Sequence, residues 1–115
     1  MTEHQLQVTC AQYLDLALPQ DAVWFAIPNG SHRHKAVAGK LKAEGVKAGI
    51  PDLCIIYQGR AIFIELKTKK GSLNPAQKAM QLRLTLAGCP VFKICRSLEE
   101  LAAFVGVIVP LKVAV

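Results

Sequence analysis

A chain of 115 residues that is 52% hydrophobic is long enough to build one packed domain, 1–115, and too short for two, and its composition excludes a disordered chain. No apolar run approaches the ~20 residues a membrane-crossing helix requires, and the start, Met1-Thr2-Glu3-His4-Gln5, lacks the basic and apolar regions of a signal peptide, so a cytoplasmic location with no membrane contact is expected. A formal charge of +6 on so apolar a chain points to a polyanionic partner, with a solubilising positive surface as the plainer alternative.

Thr2-Glu3-His4-Gln5 has the form of a capping box and predicts a helix from Thr2 to about Ala17. Leu6, Cys10, Tyr13, Leu14 and Ala17 form its apolar stripe, and Glu3 lies on that stripe, which turns a carboxylate toward the core side. Glu3 is either an ordinary acid favoured by the helix dipole or a member of an acidic site. After Pro19-Gln20-Asp21, Val23 to Ile27 is β-branched and aromatic enough for a buried strand, ended by Pro28-Asn29-Gly30. Ser31 can cap a second helix, His32 to about Glu44, closed by Gly45. This helix carries His32, Arg33, His34, Lys35, Lys40 and Lys42 against one acid, a density that suits phosphate contacts or simply a solvated face.

Two β-rich runs, Asp52 to Tyr57 and Arg60 to Lys67, flank Gln58-Gly59, the signature of a tight hairpin. With those two residues as the loop, paired positions sum to 117, so Cys54 faces Phe63 and Asp52 faces Glu65. Two carboxylates then share one sheet face as direct partners, where like charges repel. Lys67 returns to the same face two residues beyond Glu65, while Ile62, Ile64 and Leu66 take the core face. A three-residue loop or a bulge would shift this register. Two acids and a lysine converging on one face suit phosphodiester hydrolysis: carboxylates hold a divalent cation, and the ammonium positions a water or meets developing charge.

Thr68-Lys69-Lys70-Gly71 forms a basic loop beside this face, suited to phosphate or to a flexible turn. Asn74 and Pro75 start a third helix running to Ala87, capped by Gly88, with Ala76, Met80, Leu84 and Ala87 expected on the sheet and Gln77 one position round. Val91 to Cys95 reads as a fourth strand, and Ser97-Leu98-Glu99-Glu100 opens a short helix to about Val105. The apolar tail, Val107 to Val115, either completes the core or covers a partner subunit. Cys10, Cys54, Cys89 and Cys95 show no CxxC spacing and read as buried thiols in a reducing compartment. The element order gives an α/β class with a mixed four-stranded sheet flanked by helices.

Pro51-Asp52 followed by Glu65-Leu66-Lys67 resembles the PD-(D/E)xK nuclease signature. With Glu3, Pro28-Asn29-Gly30, Gly49 to Leu53, Thr68, Gly71, Gln77 and Gly88, the pattern from about Glu3 to Glu100 resembles the virus-type replication-repair nuclease (VRR-NUC) domain. The resemblance implies a restriction-endonuclease-like fold and a Mg²⁺- or Mn²⁺-dependent DNA endonuclease. Asp52 and Glu65 would be metal ligands, joined by Glu3 and by the carbonyl of Leu66. Lys67 would orient the water, and Gln77 would contact substrate or the metal's water. Asn29, His32, Arg33, His34, Lys35, Lys69 and Lys70 are the expected DNA contacts. Stand-alone domains of this kind resemble Holliday-junction resolvases, which implies branched or four-way-junction DNA, a role in repair or phage replication, and a homodimer. The competing reading is a non-catalytic nucleic-acid-binding module that keeps the fold.

Overall fold

Gln58 and Gly59 set the register of the whole sheet. Both adopt positive φ, 51° and 75°, the conformation of a type I′ hairpin turn whose twist matches the flanking strands. The structure, a computed structural model, describes residues 1–28 and 35–115, and all their side chains except those of Lys35 and Ala36. Its elements are α1 (Glu3–Ala17), β1 (Ala22–Ala26), α2 (Lys35–Ala43), β2 (Leu53–Tyr57), β3 (Arg60–Leu66), α3 (Pro75–Leu86), β4 (Val91–Cys95) and α4 (Leu98–Ile108). The strands form one sheet in the order β1-β2-β3-β4. β1/β2 and β2/β3 are antiparallel and β3/β4 is parallel, so the sheet is mixed and the class is α/β, as expected.

Across the hairpin Leu53 pairs with Ile64, Cys54 with Phe63 and Tyr57 with Arg60, the register that the two-residue loop demands. Alternation then sends Leu53, Ile55, Ile62, Ile64 and Leu66 to one face. There they bury completely against Leu6, Cys10, Tyr13, Leu14 and Ala17 of α1 and Leu101 and Val105 of α4. Truncating one of these core leucines to Ala costs about 2–5 kcal/mol in such a setting. The opposite face carries Cys54, Phe63 and Glu65, and α3 lies on that side against β4.

Three expectations need correction. β1 is an edge strand, and Val23 and Phe25 are 61% and 43% exposed. Only its Trp24 side reaches the core, because among the described residues nothing covers the second sheet face at Val23 and Phe25. α3 turns Gln77 and Gln81 inward, whereas Ala76 and Ala87 are exposed. Gln81 donates to the Lys93 carbonyl at 2.8 Å, so a polar side chain satisfies strand backbone where an apolar contact was expected. α4 continues to Ile108, past Val105, since Val105 and Val109 both bury in the core.

Part of the tail completes the core: Val109 is buried, whereas Val107, Val113 and Val115 are exposed. Leu111 packs against the core cluster, the Lys112 amide donates to Ala17 at 2.8 Å, and the Tyr13 hydroxyl donates to the Val113 carbonyl. No helix among the described residues is long and apolar enough to cross a membrane.

Candidate metal centre

Three local devices deliver the acidic side chains. A full capping box between Thr2 and Gln5 starts α1 and places Glu3 in its first turn. The hairpin register brings Asp52, just ahead of β2, opposite Glu65 near the end of β3. Asp52 Oδ2 accepts from the Leu66 amide at 2.7 Å, a charge-assisted bond that fixes its carboxylate at the mouth of the hairpin. Oxygens of Glu3, Asp52 and Glu65 all lie within 4.8 Å of one another.

Lys67 Nζ stands 4.0 Å from Glu65 Oε2, on the face that alternation predicts. Gln77 is held by a second capping box: its amide N–H donates to Asn74 Oδ1 at 2.9 Å, and its Oε1 accepts from the Asn74 N–H at 3.0 Å. That bond commits the oxygen of the side-chain amide, leaving Nε2 to donate to Glu65 Oε2 at 3.4 Å. Leu66 has its side chain in the core, so only its backbone is available to the centre.

Glu65 is the electrostatic focus. It is 1% exposed, and its Oε1 is buried with no hydrogen-bond partner among the described residues. Burial pushes its carboxyl up to about 9; the neighbouring Asp52 adds to the rise, Lys67 partly offsets it, and Glu3 adds again. An orphaned buried oxygen amid repelling carboxylates fits a hard divalent cation, which takes oxygen ligands and supplies the missing charge. All three donors are carboxylate oxygens, the ligand type of hard divalent cations.

Of the expected DNA contacts, Lys69 and Lys70 are exposed in the turn after Lys67. Asn29, His32, Arg33 and His34 lie outside the described residues, as does the side chain of Lys35 in the first turn of α2. Sequence reasoning missed Arg96, which follows β4 without any motif. Its guanidinium donates to the carbonyl of Thr68 and, at 2.9 Å, to that of Gly71, pinning the basic loop. A Cβ built on Gly71 would lie 3.2 Å from Lys67 Cδ, so the pinned loop rests on the lysine's stem.

Replacing Arg96 by Ala is expected to free this loop at a cost of about 2 kcal/mol, the scale of hydrogen bonds from a charged donor. Hydrogen exchange at residues 68–71 should speed up more than elsewhere. Arg96→Lys should restore protection only in part, since an ammonium does not reproduce the guanidinium fork. Unchanged exchange in the Ala variant would show that the loop holds itself.

A family model for the VRR-NUC domain matches residues 1–98. No curated protein matches the sequence. Among solved structures, a VRR-NUC domain protein is similar to this chain with a TM-score of 0.70 and 22% identity, over 92% of this chain and 86% of that one. A second, a VRR-NUC domain, is similar with a TM-score of 0.61 and 19% identity, over 92% of this chain and 97% of that one.

Proposed function

The chain belongs to the VRR-NUC domain family, a nuclease-type domain with nucleic acid as its substrate, and from that premise we propose that it is a Mg²⁺- or Mn²⁺-dependent DNA endonuclease selective for branched DNA. The observation that carries this reading is the convergence of Glu3, Asp52 and Glu65 within 4.8 Å beside Lys67. Asp52, Glu65, Glu3 and the Leu66 carbonyl are the proposed metal ligands; a cation bound there supplies charge stabilisation to the phosphate and lowers the pKa of a water. Lys67 orients the attacking water and meets charge developing on the phosphate. Gln77 holds the Glu65 carboxylate in position through its Nε2. Lys69 and Lys70, with Asn29, His32, Arg33, His34 and Lys35, contact phosphates.

One site cuts one strand, so symmetric resolution of a four-way junction needs a second copy, and we propose a homodimer. A reducing, cytoplasmic setting is consistent with Cys10, Cys54, Cys89 and Cys95 all being free. Labelled single-stranded, duplex, flap and four-way-junction DNA in Mg²⁺, with a chelator control, tests the reading. Junction cleavage that the chelator stops is expected, with a dimer in sedimentation. A monomer that cuts junction and duplex equally removes the resolvase part. No cleavage of any substrate in Mg²⁺ or Mn²⁺ removes the nuclease reading altogether.

Exposed Lys69 and Lys70 also carry a quantitative expectation. Changing both to Gln should weaken binding alike on all sequences and reduce the slope of log K against log salt by about 0.9 per lost contact on duplex DNA. A changed sequence preference with an unchanged salt slope would mean that they read base edges.

A further inference from the structure

Beside the metal centre, on the far side of Gln77, a cleft of about 480 Å³ opens between α2, the loop into β2 and the start of α3. Its volume lies in the ~300–1,000 Å³ range of small-molecule sites. Leu41, Val46, Ile50 and Ala76 supply an apolar wall, Lys42 and Lys47 supply cations, and among the described residues no Asp or Glu lines it. Gln77 belongs to both places: it lines the cleft and donates to Glu65.

The walls are built rather than accidental. At the end of α2 the Val46 amide donates to Leu41 at 2.9 Å and the Gly45 amide to Lys42 at 3.0 Å, with Gly45 at φ 100°. This is a Schellman closure, and it sets the direction of the lysine-bearing rim. Gly49, at φ 77°, packs so closely on α3 that a Cβ there would come within 2.3 Å of the Ala76 carbonyl oxygen. Two backbones in that contact hold the loop against the first turn of α3. The Asn74–Gln77 capping box fixes the same turn from within.

We infer that this cleft receives a nucleobase, unstacked from the DNA strand, next to the phosphate that lies at the metal centre. The inference rests on the nuclease reading above and names what the site recognises beyond a phosphate. An apolar wall takes the face of a planar base, and Lys42 and Lys47 meet the phosphates that flank it. A lone anion has no use for the apolar wall, and an apolar peptide has no use for the two lysines. Gln77 lines the cleft and also reaches Glu65 at 3.4 Å, so one strand can occupy both. Taking a base out of its stack costs least where it is already unpaired. The cleft therefore favours strands at a branch point over continuous duplex, and supplies a physical source for branch selectivity within one subunit.

The test scans 2-aminopurine, whose fluorescence rises on unstacking, through every position of one strand of a four-way junction bound to the full chain. Ca²⁺ replaces Mg²⁺ to keep the strand intact, and cuts are mapped separately in Mg²⁺. A several-fold rise confined to one position next to the cut is expected. Ala48→Phe, at an exposed residue lining the cleft, should fill the space and abolish the rise, together with the preference for junction over duplex. Ala48→Ser leaves the space open and should keep both, and circular dichroism melts confirm that each variant folds. Normal cleavage with no rise at any position overturns the base site and leaves the nuclease reading standing. A rise at all positions alike reports general melting and also overturns it. A single-position rise without cleavage in Mg²⁺ or Mn²⁺ supports the base site while the nuclease reading falls. Loss of a dimer in Ala48→Phe, with flat fluorescence in the parent, would make the cleft a protein interface and overturn the proposal.

Discussion

Asp52→Asn is expected to cut DNA at least ~10²–10³-fold more slowly than the parent at saturating Mg²⁺, the scale of losing one charge-stabilising group in an active site, while folding normally. Asp52 carries two roles that this substitution separates. Its Oδ2 accepts the Leu66 amide at 2.7 Å, and an Asn oxygen can accept the same bond. The negative charge shared with Glu3 and Glu65 is what the change removes. Asp52→Ala removes both, leaves the Leu66 amide without its partner, and should cost about 1–3 kcal/mol of stability in addition. Junction binding by the Asn variant should survive or strengthen, because less negative charge faces the phosphate. Lys67→Ala should abolish turnover and spare metal binding, since the ammonium is no ligand. Single-turnover cleavage paired with calorimetric Mg²⁺ titration separates these outcomes. Near-parental cleavage by Asp52→Asn would falsify the assignment of the centre.

Glu65→Gln is expected to stabilise the metal-free protein at pH 8 by roughly 1–3 kcal/mol, because the amide is neutral in both the folded and the unfolded chain and escapes the cost of protonating a carboxylate on burial. The sign follows from Glu65's raised carboxyl, about 9 against 4.5 for the free side chain. Between those values the folded protein holds a proton that the unfolded chain has released. The stability this contributes is fully present below about pH 4.5 and is lost as pH rises through about 9. Metal-free protein should therefore melt at falling temperatures from pH 6 to pH 9, and the Gln variant should lose much of that slope. Cation binding must displace the Glu65 proton, so Mg²⁺ affinity should rise with pH over the same range in the parent. Thermal melts with chelator or Mg²⁺ at several pH values read both effects. A pH-independent melt in the metal-free parent would show that Glu65 is ionised throughout.

The hairpin was legible because a turn states its own geometry. Gln58-Gly59 fixes positive φ at two positions, and alternation then places Asp52, Glu65 and Lys67 on one face with no further information. Glu3 was legible only in part: the stripe through Leu6 and Cys10 turns it inward, but only the docking of α1 brings it to residues 52 and 65. The exposure of Val23 and Phe25 was hidden, since a β-branched, aromatic run looks the same with one face covered or two. The inward face of α3 was misread for a related reason. An apolar-stripe rule assumes that greasy residues face the sheet, whereas Gln77 and Gln81 have partners there and Leu82 and Leu86 do not, being 61% and 78% exposed. Arg96 escaped because its partners are carbonyls of residues 68 and 71, and backbone acceptors leave no trace in side-chain identity.

The position of Glu3 has a consequence during synthesis. α1 precedes the sheet in the chain, yet its apolar stripe seats on β3 and α4, and α4 ends at Ile108. Its docking surface is complete only once α4 has been made, and contacts this distant in sequence form slowly. The hairpin, closed by a two-residue turn, needs no such wait. The hairpin register thus sets Asp52 opposite Glu65 without α1, whereas Glu3 joins them only when α1 docks. The acidic trio therefore depends on contacts between the two ends of the domain, so the cation-binding set is completed only with the docking of α1.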